Sequence, residues 1–174
     1  RTNIYYIQSE DWGRTWTTAD GRRVALPVTR RNDISLIRDF QSERRNCYIK
    51  DINFDYKGNP VIYYVTSDNH LTGPDGGARV HSVARWTGKK WKFSDFTEST
   101  HCYDSGSLWV DGKEMTITAY DSKDGRVVDS TTLQSRCSKG HQLTTYHNGK
   151  SACAVCGKLI DVKDAQYTGW MTVE

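Results

Sequence analysis

No run of apolar residues in this chain approaches the ~18 that a membrane-crossing helix requires, so no such span is expected. An excess of charge of one sign is also missing. The 24 basic and 21 acidic side chains leave a net charge of +3, too little to point to a nucleic-acid partner. An acidic substrate would have to be met by a local cluster, not by the overall field. No signal-peptide pattern opens the sequence, and the abrupt start at Arg1 reads as that of a processed or excised segment, for which an earlier signal stays open. Nothing resembles a disordered tail. With 174 residues and 36% hydrophobic content, the chain is expected to form a single globular domain.

What is present reads as short strands joined by tight turns. Asn3–Gln8 is rich in strand formers. It runs directly into Ser9-Glu-Asp-Trp-Gly-Arg-Thr-Trp16, which matches the S-x-D-x-G-x-T-W pattern of the Asp box found in sialidase-like β-propellers. In physical terms this octet is a hairpin turn: Asp11 bonds loop amides, Gly13 takes a positive φ, and Trp16 packs beneath. A structural role is therefore expected for Asp11. The Arg22-Arg23 and Arg30-Arg31 pairs read as solvated surface, and Asp33–Phe40 has the apolar spacing of one or two helical turns, with a strand as the alternative.

Tyr48–Asp55 and Pro60–Ser67 flank the turn Tyr56–Asn59, and Val80–Trp86 and Trp91–Phe96 flank Thr87–Lys90. Four strands in succession make a meander, which is one propeller blade. Ser107–Val110 and Glu114–Tyr120 open the next, and Gly169–Glu174 resembles the strand that precedes the Asp box. The expected fold class is all-β, a propeller of four-stranded antiparallel blades. This chain would hold the end of one blade, one complete blade and most of a third, as part of a single propeller domain. Since ring closure takes about four to eight blades, the rest of the ring is expected to be supplied by remaining blades of the same protein.

The third blade is interrupted near residues 136–158 by Cys137-x3-His141 and Cys153-x2-Cys156. Two such short-range pairs complete a tetrahedron of three thiolates and one imidazole, a set that suits a structural zinc with no position left open. The alternative is a disulfide between two of these cysteines, with His141 an ordinary surface residue. Cys47 and Cys102 read as isolated thiols.

Arg79-Val-His-Ser-Val-Ala-Arg85 alternates strongly. On a strand, Arg79, His81, Val83 and Arg85 share one face, and Val80, Ser82, Ala84 and Trp86 share the other. A core is not expected to take Arg and His inward without partners, so the basic face reads as solvent surface or as the wall of an anion site. His101 follows twenty residues after His81, and a hairpin between them could bring both imidazoles to one rim. His70, in the Gly-rich stretch Asp68–Gly77, could line the same cleft or belong to a flexible connection.

The Asp box, Tyr48–Asp55, Gly58–Val61, Ala84–Trp86 and Tyr103–Leu108 together resemble the BNR-repeat proteins that include the ulvan lyases, over most of the chain from Ile4 to Trp170. The Cys/His insertion resembles the zinc site of one such lyase family. The resemblance implies a secreted bacterial polysaccharide lyase of seven blades acting on ulvan, a sulfated algal polymer containing uronic acid and rhamnose. In β-elimination a base takes the uronate C5 proton, which requires the neighbouring carboxylate to be neutralised first. His and Tyr can then act as base and acid near neutral pH. By resemblance His81 and His101 are the active-site histidines and Tyr146 is the lyase tyrosine. Arg79, Arg85, His70 and Tyr103 are the candidates for binding the acidic sugar. The alternatives are a sialidase-like glycoside hydrolase, which needs paired carboxylates, and a glycan-binding propeller without catalysis.

Overall fold

The computed structural model describes residues 3–101, 104–111, 114–122, 125, 127–132, 143–145, 150–153 and 159–161. Among them are only strands, turns and one short 3-10 turn at Gly73–Gly76, with no α-helix. Strands β1 (Ile4–Tyr5) and β2 (Leu36–Arg38) pair antiparallel. A four-stranded antiparallel sheet follows in simple meander order: β3 (Asn46–Phe54), β4 (Pro60–Ser67), β5 (Arg79–Trp86) and β6 (Trp91–Ser99). Strands β7 (Ser105–Asp111), β8 (Glu114–Tyr120) and β9 (Val127–Thr132) form a third sheet, and β10 (Leu143–Thr145), β11 (Lys150–Cys153) and β12 (Leu159–Asp161) a fourth. The meander is the expected complete blade: β4 has the expected ends, β3 starts two residues earlier and stops one short of Asp55, β5 starts one residue earlier, and β6 runs three residues further.

The blade is covered on both faces, and β4 shows how. All eight of its residues are buried. Val61 and Tyr63 join Val83 and Phe96 against Leu108, Met115, Ile117 and Ala119 of the β7–β8 side. Ile62 and Tyr64 turn the other way and join Ala84 and Cys47 against Ile4, Tyr6 and Phe40. A strand with neighbours above and below gains from an apolar side chain at every position, at about 1.5–3 kcal/mol for each large one fully buried, which is why Val-Ile-Tyr-Tyr-Val does not alternate with polar residues. The blade and the β7–β9 sheet are also joined by polar bonds. The Leu108 amide donates to Asp51 Oδ2 at 2.7 Å, and Asn53 Nδ2 donates to the Leu108 carbonyl at 3.0 Å.

The Asp box forms the expected turn. Asp11 Oδ1 accepts from the Thr15 amide at 2.8 Å and Oδ2 accepts from the Thr15 hydroxyl at 2.7 Å, while the Gly13 amide donates to Ser9 Oγ at 2.7 Å. Gly13 has φ +82°, and the Trp16 indole donates to its carbonyl at 3.1 Å. The bonds from Thr15 hold the Asp11 carboxyl below its ordinary range. Both carboxylate oxygens are therefore engaged in the turn, as a structural role requires.

Two local readings are corrected. The helical spacing of Asp33–Phe40 does not produce a helix: the Asp33 carboxylate accepts from the Ser35 amide and hydroxyl, closing an Asx turn, and Leu36–Arg38 then extends as β2. Polar side-chain competition for the first amides, together with a partner strand at β1, outweighs a weak period. The strand expected over Asn3–Gln8 is continuous only at Ile4–Tyr5, with an isolated bridge from Gln8 to Thr17 across the Asp box.

Candidate functional site

The connections β4–β5, β6–β7 and β8–β9 all emerge at one end of the blades, since Arg79 pairs with Ser99 and Ser105 with Tyr120 at the strand ends. The tight turns 55–59 and 87–90 lie at the opposite end. At the first end the loops touch. A Cβ on Gly73 would stand 3.8 Å from His101 Cδ2, and the Ser122 amide donates to Asp104 Oδ1 at 2.9 Å. This rim holds exposed His70 and half-buried His101.

The basic face of β5 does not meet solvent. Arg79 is 1% exposed and His81 0%, and Arg85 is only partly exposed. Alternation is kept as expected, but the face bearing Arg79, His81 and Val83 lies inward, and each polar head has been given a partner. Arg79 donates to the carbonyls of Gly76, Gly77 and Leu71, so its guanidinium clamps the Gly-rich loop from beneath, with Nε buried and unpaired. Arg85 Nη2 pairs with Asp55 Oδ2 at 3.2 Å. Asp55 in turn accepts from the amides of Lys57 and Asn59, both at 2.9 Å, and so ties the β3–β4 turn. Burial pushes the Asp55 carboxyl up, but the Asn59, Lys57 and Arg85 bonds outweigh it and leave it below its ordinary value.

His81 sits in a line of buried polar groups. Its Nδ1 bonds the Tyr63 hydroxyl, and its Nε2 lies 2.8 Å from Ser99 Oγ. The Asp104 carboxylate accepts the His101 amide at 3.2 Å. Burial pushes the Asp104 carboxyl up, yet the bonds from Ser122, Ser99 and His101 more than compensate, and its net shift is downward. Burial pushes the Tyr63 hydroxyl well up, and the charges of Tyr120 and Asp104 add to this. Tyr63 is thus a donor at any physiological pH. His81 bonds Tyr63 and Ser99 inside the blade, while His101 stands at the rim beside Gly73 and Asp104. Reading the sequence missed Tyr63, which lies inside an apolar run, and Ser99, whose only signal is its place two residues before His101.

Tyr103, Tyr146, Cys137, His141 and Cys156 lie outside the described residues, as does Cys102. Cys153 is the last residue of β11, paired in register with Leu143. Cys47 is a free, buried thiol whose pKa burial pushes up to about 12. A cleft of about 670 Å³ lies far from the rim chemistry, on the outward side of β1 between Tyr5, Ile7, Val28 and Arg30. Ile4 and Tyr6 face the blade, so this cleft is on the side of β1 turned away from it.

No curated protein matches the chain. A family profile described as "BNR repeat-containing family member" matches residues 1–99, more than half of the sequence, covering the Asp box and the complete blade. The repeats of this family are compatible with propeller blades and occur in glycan-acting enzymes. By its Asp box, its four-stranded antiparallel blade and this match, the chain belongs to the BNR repeat-containing family.

Proposed function

We propose that the chain forms part of the cleft of a secreted polysaccharide lyase that cleaves a uronate-containing glycan, ulvan in the first instance, by β-elimination. The observation that carries this reading is the rim, where His101 lies beside Gly73 of the loop that bears His70 and that the buried cation Arg79 holds by its carbonyls. A buried positive charge and two imidazoles gathered at one loop suit an anionic sugar. The carboxylate of Asp104 is buried and occupied by two backbone amides, which disfavours its use as one of the sugar-facing pair that a hydrolase needs.

In this reading His101 bonds the uronate carboxylate and lowers the cost of charge developing at C5. Tyr146, as phenolate, takes the C5 proton and returns it to the departing O4 as the C4–O4 bond breaks and the C4=C5 double bond forms, with Tyr103 and His70 contacting the sugar. His81, buried and bonded to Tyr63 and Ser99, serves the interior of the blade. Arg85 serves the opposite end of the blade through Asp55. The remaining blades of the ring pack against the outward side of β1, where the cleft at Tyr5 and Ile7 lies.

We also propose that Cys137, His141, Cys153 and Cys156 hold a structural zinc in an insertion of the same domain. The donor set fits: three thiolates and an imidazole make a closed tetrahedral site. The register of β10 and β11 fits as well, because Cys153 pairs with Leu143, the second residue after His141 in the chain. A bound zinc would supply folding energy to the loop that carries Tyr146.

The test is incubation of the full-length protein with ulvan while following the ultraviolet absorbance of the new double bond. Lyase action predicts rising absorbance, and His101→Ala should cut turnover by at least the ~10²-fold typical of lost acid–base or electrostatic help. New reducing ends without absorbance would indicate a hydrolase, and retained affinity without turnover a binding module. Either result sinks the lyase reading.

A further inference from the structure

Arg79 is buried to 1% exposure, and among the described residues no carboxylate pairs with it. A buried charge is costly unless something compensates it. The acids of the β4–β5 loop do not. Asp68 stands 3.7 Å from Arg45 Nε, and Asp75 is exposed and forms no ion pair among the described residues. Nε of Arg79 has no partner either. What the guanidinium meets is backbone: Nη1 donates to the carbonyls of Gly76 and Gly77, and Nη2 donates to that of Leu71. These bonds fix the peptide planes. In a planar trans peptide the C=O and N–H groups point opposite ways. The Gly77 amide shares a peptide unit with the Gly76 carbonyl, and the Ala78 amide shares one with the Gly77 carbonyl, so both N–H groups point away from Arg79. Both residues are exposed, and neither amide bonds another described residue. The local conformation brings the two N–H groups together. Gly76 ends the 3-10 turn and Gly77 follows with φ +72°, the right-handed then left-handed order in which successive amides form an anion-binding concavity. Glycine serves a different end at each place: a Cβ on Gly76 would overlap Arg79 Nη2 and the Leu71 carbonyl, whereas one on Gly77 would meet open space but strain the positive φ.

We propose that the Gly77 and Ala78 amides, backed by the buried charge of Arg79, form a binding site for an oxyanion at the rim. Positive potential reaches the site in two ways. The guanidinium has no described counter-ion to cancel it, and its bonds to the Gly76 and Gly77 carbonyls polarise the very peptide units whose N–H groups face outward. Two convergent donors with a cation behind them suit the charged oxygens of a carboxylate or a sulfate ester. A Cβ on Gly73 of the same loop would stand 3.8 Å from His101 Cδ2, so the site belongs to the wall where the lyase reading puts the sugar. That reading supplies only the molecule that carries the oxyanion, a uronate or a sulfated sugar; the site itself rests on Arg79 and the amides it turns outward. Arg79 is then a positioning residue that acts through the backbone, a different task from the direct sugar contact expected of it.

The experiment uses full-length protein labelled with ¹⁵N-glycine and ¹⁵N-alanine, the two amides being assigned by loss of their signals in Gly77→Ala and Ala78→Ser. Methyl sulfate and glucuronate are titrated separately in place of chloride, so that ionic strength and cation stay fixed. The expected result is a saturable shift of the Gly77 and Ala78 signals with at least one of them, and the probe that binds tells the source: methyl sulfate stands for a sulfate ester, glucuronate for a carboxylate. No saturable shift with either overturns the site. Arg79→Gln removes the charge and should weaken binding about tenfold, in the range of a unit charge acting over several ångströms near a protein surface. Unchanged affinity in that variant overturns the role of Arg79. Gly77→Ala strains the positive φ and should abolish the Ala78 shift; an Ala78 shift of wild-type size overturns the site. Should Arg79→Gln fail to fold, the wild-type titrations and Gly77→Ala still decide. Turnover is read separately. A wild-type protein that binds an oxyanion at Gly77 and does not act on ulvan defeats the lyase reading while upholding the site, and action on ulvan with no response at Gly77 does the reverse.

Discussion

Asp55 shows what one residue does in this blade. Its side chain is fully shielded from solvent, and it accepts from two turn amides, from Asn59 Nδ2 and from Arg85. Replacing it with Ala strands those donors and leaves Arg85 without its partner, at a cost of roughly 3 kcal/mol by the usual penalty for orphaned buried donors. Denaturant unfolding of Asp55→Ala checks this, and a loss under about 1 kcal/mol would show that water replaces the carboxylate freely. The pH dependence has a definite sign. Both Asp55 and Asp104 are held below the ordinary value, so the folded protein takes up their protons less readily than the unfolded chain does. Their stabilisation is complete above about pH 5 and is lost as pH falls through the depressed folded-state values. In Asp55→Ala that acid-side slope should be shallower, as measured by the unfolding midpoint against pH.

At the scale of the element, β4 is the strand on which the two cores meet, and β7 is fitted to it at Gly106. A Cβ there would overlap Tyr63 Cε1 and the Thr118 carbonyl, one of them backbone that cannot swing aside. Gly106 has an ordinary backbone, so the restriction comes from close approach and not from φ. Gly106→Ala should therefore force β7 away from β4 and β8 and destabilise the protein by about 1–3 kcal/mol, the range for overpacking. Because Tyr63 is the residue pressed, the same substitution should also disturb the His81 ring signals. A variant with normal stability and unchanged His81 spectra would mean that the sheets separate at no cost. The helical spacing at Asp33–Phe40 belongs to this scale too: three apolar residues satisfy a helical period or a short strand equally, and only the pairing of Leu36–Arg38 with β1 decides between them.

For the molecule as a whole, the proposed zinc ties the insertion to the rest. Metal analysis of unstripped protein should find close to one zinc per chain, because ligand pairs of this kind bind tightly enough to fold their own loop. Less than about half an equivalent would reject the site. Cys153→Ser, or removal of the metal by a chelator, should loosen the insertion and lower turnover on ulvan through Tyr146. The melting of the β3–β6 blade should be nearly unchanged, since its two cores draw on residues before the insertion.

Turns, alternation and the Asp box were legible from the sequence because their causes are local. The Asp11 bonds, the positive φ of Gly13 and the period of two along β5 involve residues a few positions apart, and they give the four-stranded meander directly. The same alternation placed Arg79, His81 and Arg85 on one face of β5 without telling what would cover it. Coverage is a long-range matter. Leu108 and Ile117 arrive from another sheet to close that face, while Asp55, Ser99 and the loop carbonyls supply the partners that make buried Arg and His tolerable. Only the tertiary structure could decide that a face rich in cations lies inside, because the cost of burying a charge depends on the partners brought to it and not on its neighbours in the chain.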